Sequence, residues 1–159
     1  MKTFKVEYEI IDRKLQKIFT KGGDPTGYSG ELKQGPLGKK RLKITNERNE
    51  EVGEITEKKY RFGLYDLVQF VITAGGEKIT LAKEMKELKS YYVIEPDSIS
   101  LKGDWMGSDF EIQKDQETIA RVENKKDSFF IEIIKENYET LSLSILFGII
   151  WVFYYERLL

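Results

Sequence analysis

The chain contains no cysteine and no histidine among its 159 residues. That excludes disulfides, thiolate nucleophiles, imidazole bases and the usual zinc sites. A chain without thiols fits a reducing compartment. Nor does it have a charge excess of either sign. Its formal net charge is −1, so no global field draws it toward nucleic acid, and anion binding has to come from local patches. The first ten residues, MKTFKVEYEI, lack an uninterrupted apolar stretch and do not read as a signal peptide. The expected location is cytoplasmic, with a peripheral position at the membrane open to it.

What the chain does have is rhythm. Phe4, Val6, Tyr8 and Ile10 alternate with Lys5, Glu7 and Glu9, the period-two pattern of a half-buried strand. Further short strands are predicted over 15–20, 28–33, 40–45, 51–56, 66–73, 78–83, 91–95, 98–103, 109–114, 118–123 and 128–134. A Gly- and Pro-rich turn segment at 21–27 separates the second from the third. Residues 81–88 read as a strand running into a turn. About twelve short strands at such even spacing point to an antiparallel barrel or sandwich. No linker or low-complexity tract divides the chain, so residues 1–159 form one domain, long enough to bury roughly 70% of its unfolded surface.

Two hairpins echo each other. Leu42 to Ile55 places Val-Gly-x-Ile after a polar turn, and Phe110 to Val122 places Ile-Ala-x-Val there. Each is followed by a basic stretch and an apolar strand. One reading is a duplicated sheet motif; the other is that hairpins share a common pattern.

The end of the chain is unlike the rest. Residues 141–155 carry no charge. A helix apolar on every side must be surrounded by lipid or by protein. A bilayer span wants about 20 apolar residues, and shorter runs are more often core helices. Extending this run to Leu159 would bring in Glu156 and Arg157, and Gly148 in its middle costs about 1 kcal/mol of helix propensity unless close packing offsets it. The strands before it supply a container, and a small barrel needs its lumen filled. The fold expected is a mainly β, closed antiparallel barrel of about twelve strands around a central hydrophobic C-terminal helix. The alternative is a tail-anchored protein with 141–159 in a bilayer.

The segment from Tyr91 to Ile112 resembles the LURP-one-related family of the tubby C-terminal-like superfamily. The likeness lies in a Gly-Asp-aromatic-x-Gly-x-x-aromatic-x-Ile pattern, here Gly103, Asp104, Trp105, Gly107, Phe110 and Ile112. Ile119-Ala-Arg-Val122 follows, then an aromatic strand, then Leu141, Leu143 and Ile145 opening the terminal helix. The resemblance covers about the last seventy residues; before them only the hairpin rhythm agrees. It implies a twelve-stranded barrel around a hydrophobic C-terminal helix, in a superfamily that includes phosphoinositide-binding tubby proteins and phospholipid scramblases. The chain departs from the family at 151–159, which is longer and more aromatic than usual. No tubby phosphoinositide motif carries over residue by residue.

Candidate chemistry is local. Asp104, Asp109 and Glu111 offer oxygen ligands to a hard cation but lack EF-hand spacing, and the glycines beside them suit a tight turn instead. No metal or cofactor is expected. Gly35-Pro-Leu-Gly-Lys-Lys40 lacks the spacing of a phosphate loop and reads as a turn. Two basic clusters, Lys39, Lys40, Arg41 and Lys43, then Lys58, Lys59 and Arg61, are the candidates for anionic-lipid contact if they share a rim. Glu47, Glu50, Glu51, Glu54 and Glu57 in the same hairpin would cancel much of their field. The expected role is a non-enzymatic binding or scaffold domain, with anionic phospholipid or a protein as partner. An enzyme with its active site at the barrel rim is the alternative.

Overall fold

In the computed structural model, which describes residues 2–21 and 27–159, each expected strand is present. They are β1 (Lys2–Ile11), β2 (Lys14–Lys21), β3 (Ser29–Gln34), β4 (Lys40–Thr45), β5 (Glu51–Phe62), β6 (Tyr65–Ala74), β7 (Glu77–Lys86), β8 (Lys89–Glu95), β9 (Ile99–Lys102), β10 (Phe110–Lys114), β11 (Glu117–Asn124) and β12 (Phe129–Ile133). A helix, α1 (Glu139–Tyr155), ends the fold. The Gly- and Pro-rich turn segment falls largely on 22–26, outside the described residues.

The strands form one antiparallel sheet in the order β8-β7-β6-β5-β4-β3-β2-β1-β12-β11-β10-β9. Its ends, β8 and β9, approach each other without a backbone ladder, so the expected barrel is nearly closed. β9 has only four residues, and Pro96 before it lacks an N–H. Side chains bridge the seam instead. Trp105, in the β9–β10 loop, meets Tyr92 of β8 edge-on at 6.0 Å and stacks on Phe153 of the helix at 6.3 Å.

The period-two pattern sends one face of each strand inward. Val6, Ile18, Leu42, Ile44, Ile55, Phe70, Ile72, Ile112 and Ile131 all end up in one core with the helix. Every residue of α1 from Leu141 to Phe153 is buried. The 20-residue segment Glu136–Tyr155 has the length and apolarity of a bilayer span, yet here the sheet surrounds it. Hydrophobic burial at about 25 cal/mol per Å² makes this helix the main filling of the core.

Small residues decide where the helix lies. A Cβ on Gly53 would sit 3.1 Å from Ser144 Oγ, and one on Gly30 would sit 3.2 Å from the Phe147 ring. Gly148 faces β6, where a Cβ would meet Ile72 Cδ1 at 2.6 Å. Its helix-propensity cost therefore secures a close approach. Gly148→Ala should recover about 1 kcal/mol of propensity but meet an overpacking cost of about 1–3 kcal/mol. The expected net loss is up to about 2 kcal/mol, readable in urea denaturation. A more stable variant would disprove the close approach.

The two echoing hairpins have equivalent geometry. Ile44 pairs with Gly53 and Ile112 with Ala120, and in each hairpin the register shifts just after that isoleucine. They stand six strands apart in the chain, and going round the barrel six strands separate each from its counterpart.

Candidate interaction site at one barrel mouth

An antiparallel meander places every odd-to-even turn at one end of the barrel. The helix emerges there too. The Tyr154 hydroxyl donates to the Arg13 carbonyl in the β1–β2 turn at 2.8 Å. Glu156 Oε1 accepts from Lys83 Nζ at 2.6 Å and from the Tyr92 hydroxyl at 2.8 Å, fixing the helix end to β7 and β8. Burial, with Glu156 second, pushes the Tyr92 hydroxyl well above its ordinary range. At the opposite end the Tyr28 hydroxyl donates to Glu139 Oε2 at 2.6 Å, and burial followed by that bond pushes its pKa up to about 12. Both clusters anchor the helix.

The mouth where the helix emerges carries the basic residues singled out in the sequence, and strand direction sorts them. β4 begins there and β5 ends there. Lys39, Lys40, Lys58 and Lys59 come together along a groove of about 860 Å³, with Lys33, Leu37 and Tyr60 beside them. Glu57 is the carboxylate in that lining. Lys40 and Lys59 also border a cavity of about 530 Å³ with Arg13, Arg157 and Tyr155. Arg41 lines the same groove, but its guanidinium is taken up by glutamates, and Lys43 lies outside the lining. The Arg41 Nε donates to Glu54 at 2.6 Å and its guanidinium also pairs with Glu51; the Glu54 bond, above all, raises its pKa. Lys43 sits cross-strand from Glu31 and Glu54. Arg61 is on the projecting part of β5, 3.9 Å from Asp66.

The expected cancellation by glutamates holds for Glu54, which pairs with Arg41 at 2.6 Å, for Glu51, which pairs with the same guanidinium, and for Glu57, 3.7 Å from Lys59. It is undone by strand direction for the other two. Glu47 and Glu50 lie at the far end of the β4–β5 hairpin, the length of a strand from Lys40. No acidic residue occurs between Leu32 and Asn46.

Sequence reasoning missed Arg13, Lys33 and Arg157, which only the fold brings to this mouth. It also missed the apolar residues. Among the described residues, all exposed large hydrophobics lie at this end. Ile10 and Ile11 flank the first turn; Leu37 stands in the β3–β4 turn, Leu64 at the β5–β6 tip and Leu88 at the β7–β8 tip. Tyr60, Tyr65 and Tyr91 sit near those tips, and Leu158 follows the helix. A signal was available: leucine at turn positions that ordinarily take Gly, Asn or Asp.

The Gly103-Asp104-Trp105 segment is a turn. Gly103 has φ +112, and a Cβ there would lie 2.9 Å from the Asp109 carbonyl. Asp109 Oδ1 accepts from the Asn124 amide at 2.8 Å. Among the described residues, no group of three or more acidic side chains converges as a metal site. Glu111, whose pKa is lowered chiefly by the Thr118 hydroxyl, lies on the outer wall beside Arg121. Gly35 to Lys40 is likewise a turn, with the Gly35 amide donating to the Lys39 carbonyl at 2.7 Å.

Comparison with protein-family models, curated proteins and solved structures returns no match.

Proposed function

We propose that this chain is a non-enzymatic docking domain that contacts anionic phospholipid headgroups through the barrel mouth at the helix C-terminus. The observation that carries the proposal is the groove in which Lys39, Lys40, Lys58 and Lys59 converge with Glu57 as its carboxylate. Clustered lysines attract phosphate and an anionic bilayer surface at about 1 kcal/mol per residue. The groove is partly open to solvent and has room for a headgroup.

Two further points favour this reading. The strand number and the buried C-terminal helix agree with what the LURP-one-related resemblance implies, and we propose that kinship and a cytoplasmic, membrane-peripheral location with it. The burial of α1 between sheet walls favours a core helix over a tail anchor, since a helix serving both roles would have to leave the barrel.

Vesicle sedimentation tests the proposal. The full-length protein is expected to bind phosphatidylcholine vesicles containing phosphatidylserine at low salt and to ignore pure phosphatidylcholine. Replacing Lys39, Lys40, Lys58 and Lys59 by glutamine should remove about 2–4 kcal/mol, roughly thirty- to a thousand-fold in affinity. Raising the salt should shrink that difference as the Debye length falls. A wild-type protein that stays in the supernatant with anionic vesicles at low salt would refute the proposal.

A further inference from the structure

The leucines at this mouth break two local rules at once, and the fold does not account for either. Leu37, Leu64 and Leu88 are 98%, 99% and 83% exposed. A single exposed leucine is ordinary. Here, however, Leu37 and Leu88 also hold left-handed backbone, with φ of 63° and 67°, a conformation that favours glycine and asparagine. Leu64 follows Gly63, itself at φ 64°. Three bulky apolar side chains thus occupy turn positions where they bury nothing.

The opposite end of the barrel supplies the contrast. Its two-residue turns are Gly75-Gly76 and Asp115-Gln116, all four at positive φ. The same turn geometry there takes residues that suit water. Departures from local rules concentrated at one end, without any gain in packing, mark function.

The leucines are also dispersed. Each sits on its own turn, with basic residues close by in the chain, Lys33 and Lys39 about Leu37, Arg61 before Leu64, and Lys86 and Lys89 about Leu88, while Asp66 and Glu87 are the acidic residues at these tips. A rigid protein partner would call for one contiguous apolar patch. Separate leucines among lysines match a bilayer, where the tips pass the headgroups and the ammonium groups stay with the phosphates. The β5–β6 ribbon gives the reach. β4 pairs with β5 only as far as Thr56, and β7 with β6 only from Gln69, so Leu64 is carried beyond the neighbouring strands.

We propose that Leu37, Leu64 and Leu88 are three insertion points that set the barrel end-on in an anionic bilayer, its helix axis along the membrane normal. The inference rests on the lipid-docking reading and adds to it a hydrophobic, salt-resistant component and a fixed orientation.

The test pairs two sets of variants of the full chain on vesicles of phosphatidylcholine and phosphatidylserine. The triple variant Leu37→Ser, Leu64→Ser, Leu88→Ser should keep the wild-type melting temperature, because these side chains bury nothing. It should bind roughly ten-fold more weakly or worse, at low and high salt alike. The lysine variant's deficit, by contrast, shrinks with salt. In single Trp variants, Leu37→Trp, Leu64→Trp and Leu88→Trp fluorescence should shift to the blue on binding and be quenched by lipids brominated on the acyl chain. If the triple variant binds as the wild type does and the introduced tryptophans stay unquenched, insertion is wrong while headgroup docking stands. If the wild-type protein ignores anionic vesicles altogether, docking fails and insertion with it. If instead the wild type self-associates in sedimentation and the triple variant does not, the leucines serve a second copy of the chain and the proposal is overturned.

Discussion

Ile145→Asp is expected to leave no folded protein at neutral pH. Ile145 is 1% exposed, six residues into a helix whose neighbours from Leu141 to Phe153 are all buried. Cations do approach the helix, but at its two ends: Lys2 and Lys114 near its start, Lys83 and Arg157 near its finish. A carboxylate at 145 would have no such partner along the apolar wall. An unpaired buried charge costs about 3–5 kcal/mol, and more if the site stays dry. Aspartate also forgoes the contacts of a large aliphatic side chain, worth another 2–5 kcal/mol by analogy with truncation to alanine. Against a total stability of about 5–15 kcal/mol, the sum leaves little or nothing. Ile145→Val, losing one methylene, should cost only about 0.5–1.5 kcal/mol and serves as the control. Circular dichroism and gel filtration of the expressed variants decide the matter. A monomeric Ile145→Asp protein with unchanged melting would show that this helix is not the centre of the barrel.

The barrel was legible because its signals were redundant. Each strand of the wall alternates, with Phe4 and Val6 inward and Lys5 and Glu7 outward, and most turns carry Gly, Pro, Asn or Asp as punctuation. The apolar run at 141–155 then had one partner large enough to enclose it. The reading failed where a segment buries nothing. β5 was expected to stop at Thr56 and in fact runs to Phe62, because β6 continues to pair with it after the β4 pairing ends, and residues 58–61 are exposed and carry no apolar alternation. The alternation in 91–95 and 98–103 says nothing about whether β8 and β9 pair with each other, so the missing ladder at that seam was not legible. The site was less legible for a related reason. Lys40 and Arg41 are adjacent in sequence and line one groove, yet only Arg41 is held by Glu51 and Glu54. Only strand direction separates Glu47 and Glu50 from the lysines they were expected to neutralise.

Truncation after Asn137 is expected to abolish folding altogether. The deletion takes away Leu143, Ile145, Leu146, Phe147, Ile149, Ile150, Trp151 and Phe153, each at most 2% exposed. What remains would be a sheet whose inner face is apolar on every strand, enclosing a cavity the width of a helix. One large buried side chain is worth about 2–5 kcal/mol, so the loss of several exceeds any ordinary domain stability of about 5–15 kcal/mol. The barrel cannot simply collapse onto itself. Phe70, Phe129, Ile72 and Ile55 are positioned by the ladders of their own strands, and Gly30 and Gly53 leave space shaped for the helix. The mouth would fail as well, because Tyr154 and Glu156 fasten the β1–β2 turn and the β7–β8 wall. A tail-anchored protein behaves in the opposite way: its anchor contributes nothing to the domain, and the truncated form melts cooperatively. The measurement is therefore a comparison of the 1–137 fragment with the full chain by amide dispersion in NMR and by thermal unfolding. A dispersed, monomeric, cooperatively melting fragment, together with a full-length form that enters detergent or bilayer as an integral protein, would place 141–159 in the membrane and overturn the skewered barrel.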